Sequence, residues 1–115
     1  MNGRQALLAF GAMSQETRLR IVRLLVRAGP EGVPAGIVGE KVGVSASNVS
    51  FHLKELERGG LVAARRESRS IVYTADYEAL RGLLRFLMED CCAGNPQICG
   101  PARARRAKSP VEAES

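Results

Sequence analysis

The sequence has no long apolar run, only one histidine, and no cysteine before residue 91. No apolar stretch approaches the roughly 20 residues that span a bilayer, and the N-terminus lacks the basic start, apolar core and small-residue cleavage site of a signal peptide. We therefore expect a cytoplasmic protein without a membrane partner. The three cysteines, Cys91, Cys92 and Cys99, are odd in number, so in a chain without an export signal they do not predict a structural disulfide framework.

Signatures of catalysis are missing as well. The sequence has neither a glycine-rich phosphate-binding loop nor a pair of histidines. A nucleophilic cysteine needs a nearby cation, a helix N-terminus or a histidine to lower its pKa. Cys91 and Cys92 instead follow Glu89 and Asp90 at the predicted C-terminal end of a helix. We therefore expect no enzymatic activity, the rival class being a thiol-based reductase.

Positive charge is in excess, and it is unevenly distributed. The chain of 115 residues is long enough for one domain with a modest core, and its formal net charge is +5. Residues 1–75 hold 11 Lys or Arg against 6 acids, residues 76–99 hold 2 against 4, and the remainder holds 4 against 2. This balance favours a polyanionic partner for the first part of the chain.

Hydrophobic periodicity predicts three helices in the first 42 residues. The first, over 5–13, is apolar enough to indicate a surface that binds a partner. Ser14 is suited to cap a second helix over 15–28. Pro34 fits the first turn of a third helix that ends at Val42.

A fourth helix is predicted to be the DNA-recognition element. Ser45 is a good N-cap, and Gly59 ends the helix. One predicted stripe is apolar and buried: Ala46, Val49, Leu53 and Leu56. The opposite face is polar: Ser47, Asn48, Ser50, His52 and Lys54. Together with the preceding helix and the turn at Gly43, it forms a predicted helix-turn-helix whose polar face suits a DNA major groove. The alternative is an ordinary amphipathic surface helix. We expect Ser47, Asn48 and Ser50 to contact bases, and His52 to have a hydrogen-bonding or packing role.

Two strand-like runs follow, at 61–64 and 71–74, separated by a charged tip. A basic hairpin in this position is typical of the wing of a winged helix. Arg65, Arg66 and Arg69 would then contact phosphates or a minor groove, whereas the alternative is a solvated turn.

Asp76 is suited to cap a last helix, which would run to about Cys92 and carry a wide apolar surface. We interpret part of this surface as a dimer seam with the first helix. The predicted fold class is mainly α with a β-hairpin wing (α+β), a winged helix-turn-helix that forms a homodimer through its first and last helices. The predicted divisions are a DNA-binding and dimerisation domain over 1–93 and a cysteine-containing turn with a disordered basic tail over 94–115.

These segments resemble the ArsR-type metalloregulatory winged-helix repressors. The resemblance covers residues 5–92 and rests on the early run TRLRIVRLL, on SASNVSFHLKELERGGLV, on RRESRSIVYTAD and on the aromatic-leucine helix after it. It implies a homodimer that places two recognition helices in successive major grooves of a palindromic operator. It also implies repression in the metal-free state and release of the operator when an inducer binds.

The sequence departs from the family at two of its usual inducer sites. The helix PAGIVGEKV has no thiol where some arsenic sensors carry a cysteine pair, and the single histidine cannot supply the histidine site of zinc sensors. Cys91, Cys92 and Cys99 resemble the C-terminal three-thiol arrangement of other arsenic-responsive members. Three thiolates suit As(III) or Sb(III), whereas zinc prefers a fourth ligand.

The sequence therefore predicts an As(III)- or Sb(III)-responsive repressor that binds double-stranded operator DNA as a metal-free dimer. Adjacent helical positions lie about 100° apart, so ligation by both Cys91 and Cys92 requires the helix end to bend, which the turn at 93–96 permits. Three alternatives remain open: another soft metal such as cadmium, lead or zinc, thiol oxidation, and buried structural cysteines.

Overall fold

The computed structural model describes residues 1–92, which form five helices and a small three-stranded sheet. The elements are α1 (Gly3–Met13), α2 (Glu16–Ala28), β1 (Val33–Pro34), α3 (Ala35–Val42), α4 (Ala46–Arg58), β2 (Val62–Glu67), β3 (Ser70–Ala75) and α5 (Tyr77–Cys92). The chain divides into two compact units, the first of which is Met1–Arg81. Cys99 and the predicted tail lie outside the described residues. Over the described range, every helix is too short or too polar to cross a membrane.

The core of the first unit is built from the apolar stripes of α2, α3 and α4 and from the start of the hairpin. Six of its side chains are almost completely buried: Ile21, Leu25, Val38, Leu53, Leu56 and Leu61. Burial of each such side chain stabilises the fold by about 1.5–3 kcal/mol. The predicted stripe of α4 is confirmed at Val49, Leu53 and Leu56, but Ala46 is exposed, because it lies in the first turn of the helix, ahead of the packed part.

Polar caps set where the first two helices begin. Asn2 and Gln5 form a reciprocal capping box at the start of α1, with hydrogen bonds of 2.8 and 2.9 Å between each backbone N–H and the other side chain. The prediction that Ser14 caps α2 is wrong. The cap is Gln15, whose side-chain oxygen accepts from the backbone N–H of Arg18 at 3.0 Å, while the Ser14 hydroxyl donates to the carbonyl of Gly11 at the end of α1.

The sheet contains a strand that the sequence did not indicate. Val33 and Pro34 form β1, which pairs antiparallel with β3 in the order β1-β3-β2. Pro34 thus ends a strand and serves as the N-cap of α3, whereas the sequence placed it within the helix. Because the proline nitrogen donates no hydrogen bond, the residue is tolerated in this edge strand.

The predicted wing is confirmed, and it is longer than expected. β2 and β3 pair over six residues each, from Val62 opposite Ala75 to Glu67 opposite Ser70. The tip is therefore reduced to Ser68, with a positive φ of 57°, and Arg69. The interpretation of 65–70 as the tip was too wide, since residues 65–67 belong to β2.

The last helix begins where the sequence predicted. The carboxylate of Asp76 accepts from the backbone N–H of Ala79 at 3.0 Å, and the Tyr77 hydroxyl donates to the carbonyl of Val26 in α2 at 3.0 Å. These contacts tie the first turn of α5 to the rest of the first unit. Farther along the helix, Leu84 and Met88 are exposed.

Candidate nucleic-acid interface

The turn between α3 and α4 fixes the candidate recognition helix against its neighbour. Gly43 ends α3 in the left-handed region, with φ of +76°, and its N–H donates to the carbonyl of Gly39. Gly39 lies directly under α4, because a Cβ at this position would be 3.2 Å from Cγ1 of Val49 and 3.3 Å from the carbonyl oxygen of Val44. Two glycines therefore allow a tight turn and a close helix crossing, which together hold α4 in one orientation.

The start of α4 is capped and solvent-exposed. The Ser45 hydroxyl accepts from the backbone N–H of Asn48 at 3.3 Å, as an N-cap should. The side chains of Ser47, Asn48, Ser50 and Lys54 are all exposed. The structure therefore brings these predicted base- and phosphate-contacting residues together on the open side of α4, where they can donate hydrogen bonds to DNA.

His52 differs from the other predicted DNA-binding residues because its side chain contacts α2. The Arg18 guanidinium donates through Nε to Nδ1 of His52 at 3.1 Å, and it also donates to the carbonyl of Ala12 at 3.4 Å. Burial, with a smaller contribution from the positive charge of Arg18, lowers the pKa of His52 from its usual 6.5. The predicted hydrogen-bonding role is therefore seen, as a link between α2 and α4.

Phe51 is a candidate contact residue that the sequence reasoning missed. Its side chain is 57% exposed on α4. Its ring centroid lies 5.6 Å from the Arg18 guanidinium carbon and 5.7 Å from the His52 ring. An exposed ring on this helix can contact the methyl group of thymine. The signal in the sequence was position, since Phe51 lies about 200° around the helix from Val49, well away from the buried stripe.

The basic residues of the wing have different surroundings. Arg65 is held on β2 by a 2.7 Å ion pair with Glu67 and by a 2.8 Å hydrogen bond to the carbonyl of Glu31. Arg66 and Arg69 are exposed, and neither forms an ion pair within the described residues. Arg69 at the tip and Arg66 on the strand therefore remain available for a phosphate or a groove.

An open cleft of about 320 Å³ separates the wing from α4. Lys54 and Ser50 line it from α4, Arg69 and Tyr73 from the wing, and Gly36 from the first turn of α3. Burial, and to a smaller extent the negative charge of Glu57, raises the pKa of Tyr73 above its usual 10.0, so its hydroxyl remains protonated at neutral pH. Two cations facing each other across the cleft favour a DNA backbone between the helix and the wing.

The predicted thiol site cannot be assembled from the described side chains. Within the part of the chain that the structure describes, no group of three or more His, Cys, Asp or Glu side chains could hold a metal ion. Cys91 and Cys92 are the last two residues of α5, and Cys99 lies beyond the described range.

Known proteins with similar sequences are transcriptional regulators. A family model described as a helix-turn-helix domain matches residues 13–65. YgaV, an HTH-type transcriptional regulator of Escherichia coli, is 33% identical over 76% of this chain and 87% of its own length. The transcriptional activator HlyU of Vibrio cholerae is 29% identical over 82% of this chain and 84% of its own length. YceK, an HTH-type regulator of Bacillus subtilis, is 43% identical, but the match spans 53% of this chain and 60% of YceK.

A solved structure has a similar fold. An ArsR-like transcriptional regulator from Rhodococcus sp. RHA1 matches with a TM-score of 0.70 and 24% identity, over 89% of this chain and 93% of that one. The fold and the exposed face of α4 together define a winged helix-turn-helix protein. The relatives narrow this class further, and the chain belongs to the ArsR-type winged-helix transcriptional regulators.

Proposed function

We propose that this chain binds double-stranded operator DNA, with α4 in the major groove and the wing at the neighbouring backbone. The observation that carries the proposal is the composition of the exposed face of α4, where Ser47, Asn48 and Ser50 lie on a helix fixed by three buried side chains. Short hydrogen-bonding groups near the start of a helix suit base edges, and the cations of the wing suit phosphates. The protein acts by binding and catalyses no reaction.

The DNA-binding state is a homodimer formed through α1 and α5. Leu7 and Leu8 are mostly exposed on α1, as are Leu84 and Met88 on α5. Exposed apolar side chains grouped on two helices are typical of a surface that a partner covers. A two-fold dimer presents two copies of α4 to a palindromic operator, with half-sites one helical turn apart.

The inducer is As(III) or Sb(III), bound by the thiolates of Cys91, Cys92 and Cys99. The donor set supports this assignment, since three soft sulfur ligands lie within nine residues and the only histidine is engaged with Arg18. Binding at the end of α5, one of the two proposed dimer helices, shifts the dimer toward a state with lower DNA affinity. A coupling free energy of about 1–3 kcal/mol is enough to change operator occupancy.

The DNA-binding function is tested by selecting sequences from a random duplex library and measuring affinity by fluorescence anisotropy. We expect enrichment of one palindromic site, with affinity that falls steeply as salt rises. Asn48→Ala should relax the preference at one base position and cost about 1–3 kcal/mol. Glu40→Gln, at an exposed position on α3, is the matched control and should leave specificity unchanged. If no sequence is enriched, the function is wrong.

The inducer is tested by titrating the operator complex with arsenite, antimonite, cadmium and zinc under reducing conditions. Wild-type protein should release the operator with the two metalloids, whereas Cys92→Ser should bind operator normally and remain bound in arsenite. Release by cadmium or zinc alone would replace the metalloid by another soft metal, and release only on oxidation would indicate a thiol switch. Release of the Cys92→Ser variant by arsenite would contradict the assigned role of that thiol.

A further inference from the structure

A second basic surface lies on the two helices that precede α4. Arg20, Arg23 and Arg27 are exposed along one stripe of α2, and Lys41 lies in the last turn of α3. With Leu24 and Val42 they line an open hollow of about 270 Å³. These four cations are called the α2–α3 patch below. None of the predicted DNA-binding residues belongs to it.

The charges of the α2–α3 patch are not neutralised by the protein. Within residues 1–92, ion pairs join only Arg58 to Glu55 and Arg65 to Glu67. Arg20 and Arg23 are three residues apart, and Arg23 and Arg27 are four apart. At both spacings like charges destabilise a helix.

Helix dipoles explain only half of the patch. A cation in the last turn of a helix is stabilised by the partial negative charge there, which accounts for Arg27 and Lys41. Arg20 and Arg23 lie earlier in α2, where the dipole gives no such benefit. Their repulsion is therefore uncompensated by the described residues, and an anion outside the chain would relieve it.

The position of the α2–α3 patch favours DNA as that anion. Lys41 is four residues before Ser45, the N-cap of α4, so a duplex that receives the start of α4 has its backbone near the end of α3. Arg20 and Arg27 are separated by about 10 Å along the helix axis, at 1.5 Å per residue, and each DNA strand carries a phosphate about every 3.4 Å of axis. The row is long enough for at least two phosphates, to which guanidinium groups bind strongly.

We propose that the α2–α3 patch binds the phosphate backbone of the DNA that flanks each operator half-site, and so lengthens the footprint of each protomer. This rests on the proposed DNA-binding function. The contact carries no base information, and it adds affinity for long duplexes.

The test compares Arg23→Gln/Arg27→Gln with the matched variant Arg4→Gln/Arg81→Gln, which removes the same charge from exposed helical positions elsewhere. Arginine and glutamine have similar helix propensities, so both variants should fold. Anisotropy is measured on the selected operator in two lengths, one ending at the half-sites and one with about ten further base pairs, one helical turn, on each side.

We expect wild-type protein to bind the longer duplex more tightly. Arg23→Gln/Arg27→Gln should lower affinity for the long duplex roughly tenfold, and lower the slope of log affinity against log salt by about 2, which is 0.9 for each lost phosphate contact. Affinity for the short duplex should be unchanged. The thermal midpoint of this variant should equal or exceed that of wild-type protein, because two repulsive pairs are removed.

Three results overturn the proposal: an equal loss on both duplexes, an equal loss in the control variant, or no loss at all. If wild-type protein enriches no sequence and binds neither duplex, the DNA-binding function itself is wrong and the patch proposal fails with it. That outcome differs from the other three, in which wild-type protein still binds the short operator.

Discussion

At the scale of single residues, the contact between Arg18 and His52 shows how a side chain on the recognition helix can serve the fold. Because Arg18 donates to Nδ1, that nitrogen accepts and the imidazole is neutral. Protonation would place a second donor opposite the guanidinium group. The two residues are 34 positions apart in the sequence, so the sequence indicated a hydrogen-bonding role for His52 but could not identify its partner.

We predict that stability falls on acidification partly through His52. Its pKa is lowered in the folded state, so below about pH 6.5 the unfolded chain binds the proton more readily, and the unfolding free energy decreases as the pH falls through the folded pKa. His52→Asn keeps a side-chain acceptor but does not titrate. Urea unfolding from about pH 8 to pH 5 should show a larger loss for wild-type protein than for this variant. Identical profiles would contradict the assignment.

Base-contacting residues were partly predictable at this scale. Ser47, Asn48 and Ser50 follow from helical spacing alone, since they lie away from Val49 and Leu53, and the structure shows all three exposed. Phe51 has the same spacing but was left out because an apolar residue suggests a core position. Its exposure becomes evident only when the packed face of α4 is known.

At the scale of elements, the crossing of α1 over the end of α4 depends on one glycine. A Cβ at Gly59 would lie 2.6 Å from Cβ of Ala12 and 3.1 Å from the carbonyl oxygen of Leu8. Neither atom is at the end of a flexible side chain, so α1 itself would have to move. The φ of Gly59 is −77°, which any residue can adopt, so the requirement for glycine comes from the contact and not from the backbone.

We predict that Gly59→Ala lowers the unfolding free energy by about 1–3 kcal/mol through this overpacking. Gly36→Ala is the control, because Gly36 is also helical and a Cβ there meets nothing within 4 Å. That change should be neutral or should stabilise the protein by up to about 1 kcal/mol. Chemical denaturation measures both. Equal effects of the two substitutions would show that the crossing tolerates a side chain.

The helices were easier to predict than the sheet, for a physical reason. Periodicity over 8 to 13 residues identifies α2, α3 and α4, whereas β1 has two residues, one of them Pro34, and no periodic signal. β2 runs through Arg65 and Arg66, which are weak strand formers, and it is extended because β3 supplies its hydrogen bonds. The capping box of Asn2 and Gln5 was visible in the sequence as a recognised spacing.

At the scale of the whole molecule, α1 presents an apolar surface that the described chain does not cover. Leu7 is 74% exposed and Leu8 is 55% exposed, whereas Ala6 and Ala9 on the same helix are buried. One face of α1 thus packs in the first unit and the other faces outward. Leucines exposed to this degree make a helix poorly soluble by itself, and covering them in a dimer offsets that cost at about 25 cal/mol per Å² of buried apolar area.

We predict that Leu7→Lys weakens the dimer and, through it, binding to the palindromic operator. A charge at the proposed seam must be desolvated when the protomers associate, so sedimentation should show a larger share of monomer. Affinity for the palindrome should fall at least tenfold, whereas affinity for a duplex with one half-site should stay within about twofold, because each α4 is intact. Val26→Lys, at a site 40% exposed on α2, is the matched control and should remain dimeric. A dimeric Leu7→Lys protein with normal operator binding would place the seam elsewhere.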